Sequence, residues 1–153
     1  MSARAGIGYD SHRFDAGRPL RLGGVTVPHS RGLIGHSDGD VVLHALVDAM
    51  LGAGGRGDIG EHFSDKDPKN KGRDSREFVI EARKLVGAID NVDIIIMLEK
   101  PNLTAHKPRI RKSVAQLLGV PVEQVNIKAK TLQGLVKGRG VIAQAVVQLA
   151  GPR

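Results

Sequence analysis

No cysteine occurs in the 153 residues, so the fold has no disulfide and any bound metal must be held by nitrogen and oxygen. Tryptophan is absent too, and one tyrosine and three phenylalanines are all the aromatic rings there are. Single-stranded nucleic acids are held largely by bases stacking on such rings, so the chain offers almost no platform for them. No apolar run approaches the ~20 residues that span a bilayer, and the N-terminus lacks the apolar segment of a secretory signal. We therefore expect a cytoplasmic protein, one domain over 1–153, with neither membrane nor nucleic acid as partner.

What the chain has instead is positive charge: 23 Lys and Arg against 16 Asp and Glu, a net +7. That balance suits an anionic partner, and phosphorylated small molecules are the class that remains. Outside Lys66–Arg76 and His106–Lys112 the basic residues are scattered, as on an ordinary solvated surface.

Hydrophobic periodicity alternates strands with helices. Ala3–Tyr9 reads as a strand, and Leu20–Val27 as a hairpin turning at Gly23-Gly24. Ser37 or Asp38 caps a helix to about Ala53, and Asp74-Ser75-Arg76-Glu77 has the form of a capping box opening another to about Val86. Gly52–Gly60 reads as a loop and Phe63–Arg73 as a mobile surface segment. Val92–Leu98, continuously apolar and β-branched, suits a strand buried on both faces. Pro108 opens a helix that Gly119 and Pro121 stop after Leu118; Val125–Ala129 and Val141–Leu149 are the last strands. The expected class is α+β, a small, mostly antiparallel sheet with helices on one face.

The strongest chemical signal is Asp10-Ser11-His12, followed by Gly35–Asp40 and His44. Side chains two apart on a strand share a face, so Asp10 and His12 converge. His44, one turn into the helix, can supply a third ligand. One carboxylate and two imidazoles leave the fourth position of a tetrahedral zinc open, as in catalytic sites. Asp40, His44 and Asp48 lie four apart on one helical stripe, where the acids suit either support of His44 or a base for an activated water.

The motifs GIGYDSHRF (Gly6–Phe14), LGGVTVP (Leu22–Pro28), GLIGHSDGDVVLHALVDAMLGA (Gly32–Ala53), GDIGEHFSDKDP (Gly57–Pro68), DSRE (Asp74–Glu77), NVD (Asn91–Asp93) and KAKT (Lys128–Thr131) continue that signal in order. Together they resemble the 2-C-methyl-D-erythritol 2,4-cyclodiphosphate synthase family, over about Gly6–Leu149. The resemblance implies a homotrimer, sheets facing the threefold axis and active sites between neighbouring subunits. It implies zinc at Asp10, His12 and His44. The implied substrate is a cytidine diphosphate compound, 4-diphosphocytidyl-2-C-methyl-D-erythritol 2-phosphate. Its own 2-phosphate attacks the β-phosphorus, forming the cyclic diphosphate and releasing CMP without consuming water.

By the same resemblance His36 and Thr131 stabilise the transition state, and Asp10, Ser11, His12, His36 and Ser37 contact the substrate. His36 and Ser37 also precede a helix N-terminus, whose free N–H groups favour an anion. Asp58, Ile59 and Gly60 hold the erythritol hydroxyls, and Phe63, Asp65 and Asp67 belong to a flap over them. Leu98, Lys100, Pro101, Asn102, Leu103 and Thr104 wrap the cytosine, largely through backbone groups. Lys130, Thr131 and Gln133 contact the diphosphate, and Arg139 pairs with a phosphate. Gln133 stands where many members have a Glu that carries magnesium or manganese, and an amide is a poorer ligand for a hard cation. The segment after Leu135 is shorter than in the family, which shifts where Arg139 falls; 86–91 is shortened at no chemical cost. Cyclase activity is the expectation. A zinc phosphodiesterase on the same scaffold and a catalytically degenerate trimer that binds nucleotide or metal are the alternatives.

Overall fold

Five strands pair in the order β4-β1-β7-β5-β6 in the computed structural model, which describes residues 2–151; Met1, Pro152 and Arg153, at the ends of the expected domain, lie outside the described residues. The strands are β1 (Arg4–Ala16), β4 (Arg31–Leu33), β5 (Ile89–Met97), β6 (Val125–Lys130) and β7 (Gly140–Leu149). Every pairing is antiparallel except β5 with β6. A small separate hairpin, β2 (Leu20–Leu22) with β3 (Val25–Val27), turns at Gly23-Gly24 as expected. The helices are α1 (Val41–Gly54), α2 (Ile59–His62), α3 (Ser75–Arg83) and α4 (Lys107–Leu118). The class is α+β with a mostly antiparallel sheet. No helix among the described residues is long and apolar enough to cross a membrane.

β1 runs well beyond the expected Tyr9, because its polar second half still finds partners: Asp10–Arg13 pair with β7 and Phe14–Ala16 with β4. α1 lies across β1 and β7, with Val41–Leu43 and Ala45–Val47 buried at its start. The helix approaches so closely because Gly6 and Gly8 present bare backbone; a Cβ at Gly8 would stand 1.8 Å from the Ala45 carbonyl oxygen.

Several boundaries differ from expectation. The N-cap of α1 is Asp40, whose side chain accepts from Leu43 N, and not Ser37 or Asp38. α1 continues through Gly52 to Gly54, and Asp58 then caps α2 inside the stretch expected as loop. α3 ends at Arg83; Asp74 caps it through Arg76 N, while Glu77 faces Arg73 at 3.7 Å rather than closing a capping box. Phe63–Arg73 is a mostly exposed surface segment, as expected, anchored at three points: Phe63 stacks on Phe78 at 4.6 Å, buried Asn70 donates to Ser64 O, and Gly72 N donates to His36 O at 2.7 Å.

β5 is buried on one face only. Val92, Ile94 and Ile96 are in the core, whereas Asp93, Ile95 and Met97 are half-buried on the outer face. That outer face also carries Ile7 at 71%, Tyr9 at 54% and Val146 at 45% exposure. The continuous apolar run therefore reflects a sheet with one covered and one uncovered apolar face.

Candidate metal centre

The pleat of β1 turns Asp10 and His12 toward α1, whose first turn supplies His44. Asp10 Oδ2 lies 2.7 Å from His12 Nε2 and 3.1 Å from His44 Nδ1, and the two nitrogens are 3.2 Å apart. A tetrahedral zinc with bonds of about 2 Å spaces its ligand atoms about 3.3 Å apart, so the three atoms already stand near the corners of such a site. Among the described residues this is the one cluster of His and acidic side chains close enough to share an ion.

The outer nitrogens support the same reading. His12 Nδ1 lies 2.6 Å from Ile34 O; a carbonyl only accepts, so Nδ1 carries a proton, and Nε2, turned to the cluster, is the nitrogen that would ligate a metal. His44 Nε2 lies 2.8 Å from Ser75 Oγ and 3.0 Å from Ser37 Oγ. Burial pushes the Asp10 carboxyl up, but the hydrogen bonds and charges of His12 and His44 outweigh it and hold the pKa at about 2. Burial pulls His12 down, and the Asp10 hydrogen bond and charge more than reverse it. One carboxylate and two imidazoles, with no thiolate, fit zinc and other borderline divalent ions.

A cleft of about 350 Å³ opens over the cluster, walled by Gly35, His36 and Ser37 on one side and by Ile59, Gly60, Phe63 and Asp65 on the other. His36 Nε2 stands 3.4 Å from Asp67 O, while the Asp67 side chain caps the short turn Pro68–Asn70 through Lys69 N. Asp58 is exposed, its side chain occupied by Glu61 N. Asp48 does not support His44 but accepts from Ile59 N at 2.7 Å, fixing the wall of the cleft.

Asp40 corrects two expectations. Its carboxylate, fully buried, accepts from Leu43 N at 3.0 Å, Gly23 N at 2.9 Å and Gly24 N at 2.7 Å. It is therefore spent on pinning the β2–β3 turn to α1 and is not placed as a base. Its bond to Leu43 N also makes it the cap of α1, so a carboxylate already stands at the helix end that His36 and Ser37 precede.

The remaining residues lie elsewhere. Ser11, between the two ligands on β1, faces the other side of the sheet and lines a second cleft of about 530 Å³ with Tyr9, Leu135 and Arg139. Leu98 and Leu103 bury their side chains in the core and offer only backbone; Lys100, Asn102 and Thr104 are exposed, with Pro101 half-buried between. Lys130, Thr131 and Gln133 are exposed, and Gln133 Nε2 donates to Thr131 Oγ1 at 3.1 Å. Glu99, which the sequence did not single out, accepts from Leu132 N and Gly134 N and so ties these two loops together. His12 pairs with Val141 and Met97 with Ile142, so both loops sit at the same end of the sheet as the metal cluster. β7 intervenes, putting β1 and β5 two strand spacings, about 10 Å, apart. One chain does not bring the two groups into one cleft.

The YgbB family model matches residues 3–150. The 2-C-methyl-D-erythritol 2,4-cyclodiphosphate synthase of Burkholderia thailandensis is 49% identical over 152 residues, covering 95% of this chain and 94% of that protein. A solved synthase of the same name in a CDP-bound form is 40% identical with a TM-score of 0.89, covering 94% of this chain and 98% of that one. An IspF–CDP complex from Plasmodium falciparum is 31% identical with a TM-score of 0.84, covering 99% of this chain and 98% of that one.

Proposed function

The chain belongs to the YgbB family and, with it, to the 2-C-methyl-D-erythritol 2,4-cyclodiphosphate synthases of isoprenoid biosynthesis, and from that membership we propose its reaction and its assembly. The substrate is 4-diphosphocytidyl-2-C-methyl-D-erythritol 2-phosphate. An oxygen of its 2-phosphate forms a bond to the β-phosphorus as the bond from that phosphorus to the CMP oxygen breaks, giving the cyclic diphosphate and CMP. The observation that carries the reading is the convergence of Asp10, His12 and His44, within 3.2 Å of one another, at the floor of a cleft.

Asp10, His12 and His44 would hold a divalent cation, zinc by their donor chemistry. When bound, that ion supplies Lewis-acid withdrawal of charge from a phosphate oxygen. The chain itself does the positioning, which is most of what phosphoryl transfer asks of a protein. His36 and Ser37 line the cleft beside the cluster, where His36 stabilises charge as it shifts onto the leaving phosphate. The walls at Ile59–Gly60 and Phe63–Asp65 enclose the erythritol and exclude water, so that attack by the substrate's own phosphate wins over hydrolysis.

The cytidine loop 98–104 and the diphosphate segment with Lys130, Thr131, Gln133 and Arg139 would reach this cleft from a neighbouring copy in a homotrimer. The uncovered apolar sheet face around Ile7, Tyr9 and Val146 supports such an assembly. Gln133 lacks the carboxylate that would hold magnesium or manganese, so any such ion would rest on substrate oxygens. The hydrolytic alternative loses its nominated bases, since Asp40 and Asp48 are both engaged by backbone N–H groups.

Phosphorus NMR of the protein with zinc, magnesium and the substrate tests the reading. CMP and cyclic diphosphate appearing in equal amounts is the expected result. CMP with an open-chain diphosphate makes the protein a hydrolase, and no turnover with zinc bound makes it a degenerate binding protein.

A further inference from the structure

Ser75, the first residue of α3, is fully buried, and its hydroxyl lies between an acid and a candidate metal ligand. Ser75 Oγ is 2.5 Å from Asp38 Oδ1 and 2.8 Å from His44 Nε2, and Ser75 N donates to Asp38 Oδ2 at 3.0 Å. A hydroxyl has one hydrogen to give. A carboxylate only accepts, so that hydrogen goes to Asp38 and leaves lone pairs facing His44. His44 must then donate, which places its proton on Nε2. Nδ1 is then the atom turned to the cluster, 3.1 Å from Asp10 Oδ2 and 3.2 Å from His12 Nε2, and with Nε2 donating to Ser75 it is the nitrogen that can give its lone pair to a cation bound there.

We propose that Asp38 and Ser75 are positioning residues for the metal centre: their hydrogen-bonded relay sets the tautomer of His44 and presents Nδ1 to a divalent cation. His12 obtains the same service from the Ile34 carbonyl, an acceptor by nature. For His44 the chain builds an acceptor from a serine and an acid. Ser37 Oγ, 3.0 Å from the same Nε2, cannot do this alone, because its other hydrogen-bond neighbour is Ser75 Oγ at 3.4 Å and its hydroxyl is free to give or to accept. Asp38 is held in turn by Asp40 N at 3.1 Å, and its own N–H donates to Arg73 O. The relay therefore spans two segments, the 35–40 loop and the start of α3, that meet only in the folded chain.

This inference rests on the metal reading above, but its first test does not need the metal. Ring-nitrogen NMR of the metal-free protein, with the His44 ring neutral, should find more of the proton on Nε2 in wild type than in folded Ser75→Ala, the Asp10 carboxylate at Nδ1 being common to both. The same distribution of the proton in both overturns the relay. Zinc is then titrated against a chromogenic chelator. Ser75→Ala should weaken zinc binding roughly 10- to 100-fold, the usual effect of removing an orienting partner, and Ser75→Thr should recover most of that loss. Thermal unfolding in excess chelator identifies which variants are folded. A folded Ser75→Ala that holds zinc within about twofold of wild type overturns the proposal. A wild-type protein that holds no zinc overturns the metal reading instead, and the tautomer of the metal-free ring still decides the relay.

Discussion

A methyl group added at Gly8 would sit 1.8 Å from the carbonyl oxygen of Ala45 and 2.8 Å from the nitrogen of Ala49, both on α1. Carbon and oxygen in weak contact stay about 3.3 Å apart, so α1 must retreat by roughly 1.5 Å or β1 must bend as far. No side chain can absorb the clash, because the obstructing atoms are backbone. Gly8 lies two residues before Asp10 and Ala45 directly follows His44, so the retreat opens the 3.1 Å gap between Asp10 Oδ2 and His44 Nδ1. Metal sites tolerate errors of only about 0.2 Å in ligand distance. Overpacking costs ~1–3 kcal/mol where neighbours can adjust, and rigid backbone puts Gly8→Ala at the upper end. For a chain of this size ~3 kcal/mol lowers Tm by roughly 6–12 °C.

Gly52→Ala, on the same helix, is the matched control: its Cβ would meet nothing closer than 3.7 Å. Replacing a helical glycine there should raise stability by up to ~1 kcal/mol. Calorimetry in excess chelator reads the fold alone, and zinc competition on the folded protein reads the site. Gly8→Ala should lose both stability and zinc affinity, whereas Gly52→Ala loses neither. A Gly8→Ala protein that melts within about 2 °C of wild type, or that is destabilised yet binds zinc unchanged, would refute the coupling of helix seat to metal centre.

Asp40→Ala strands three backbone donors beneath a fully buried position; a cap alone is worth ~0.5–2 kcal/mol and each orphaned donor ~1–3. Urea unfolding should show a loss of at least ~3 kcal/mol, and a loss under ~1 kcal/mol would mean that the carboxylate does not pin the β2–β3 turn. The Arg76 side-chain hydrogen bonds hold the Asp74 carboxyl below its usual range. The stability they add is present above the unfolded value, about pH 4, and is lost as pH falls through the lowered folded value. Stability curves of wild type and Arg76→Ala should thus separate at neutral pH and converge in acid; parallel curves would sink this assignment. Val146→Glu puts a charge in the middle of the uncovered sheet face, and sedimentation should show three chains of 16.3 kDa giving way to one. A wild type that already sediments as a monomer would refute the trimer.

The candidate metal cluster was legible because its chemistry is local. Asp10 and His12 sit two apart on a strand, and a two-residue period needs no tertiary information to bring them to one face. The helix stops were legible for a similar reason: Gly119 takes φ +66° at the end of α4, a conformation that favours glycine. Asp38 was misread because it is a short polar residue beside a helix start, where capping is the default assignment, and Asp40 because it lies four residues before His44, where support of that ring is the default. Which of several adjacent acids caps depends on what else its carboxylate can reach. Asp40 reaches the Gly23-Gly24 turn and Asp38 reaches Ser75, contacts separated by 16 to 37 residues that no local pattern encodes. Composition placed Phe63–Arg73 at the surface, where most of it lies, but carried no sign of its two buried anchors, Phe63 against α3 and Asn70 against the segment's own backbone.

The same argument explains why β5 looked buried on both faces. Apolar residues at Ile95 and Met97 do face an apolar surface, but within one chain that surface is the outer side of the sheet, shared with Ile7, Ile142 and Val146. A lone subunit would expose this patch to water, at a cost of ~25 cal/mol for each Å² left uncovered. It would also leave the 98–104 loop, at the end of β5, two strand spacings from Asp10 and His12, at the same end of the sheet but outside their cleft, although Arg139 sits beside β1 with its carbonyl on Phe14 N. Packing copies through the outer face would cover the patch and, in the trimer proposed above, would bring the loops of one subunit to the cleft of the next. Weakening that face should therefore impair substrate binding while sparing zinc affinity, because Asp10, His12, His44 and the Asp38–Ser75 relay all belong to a single chain.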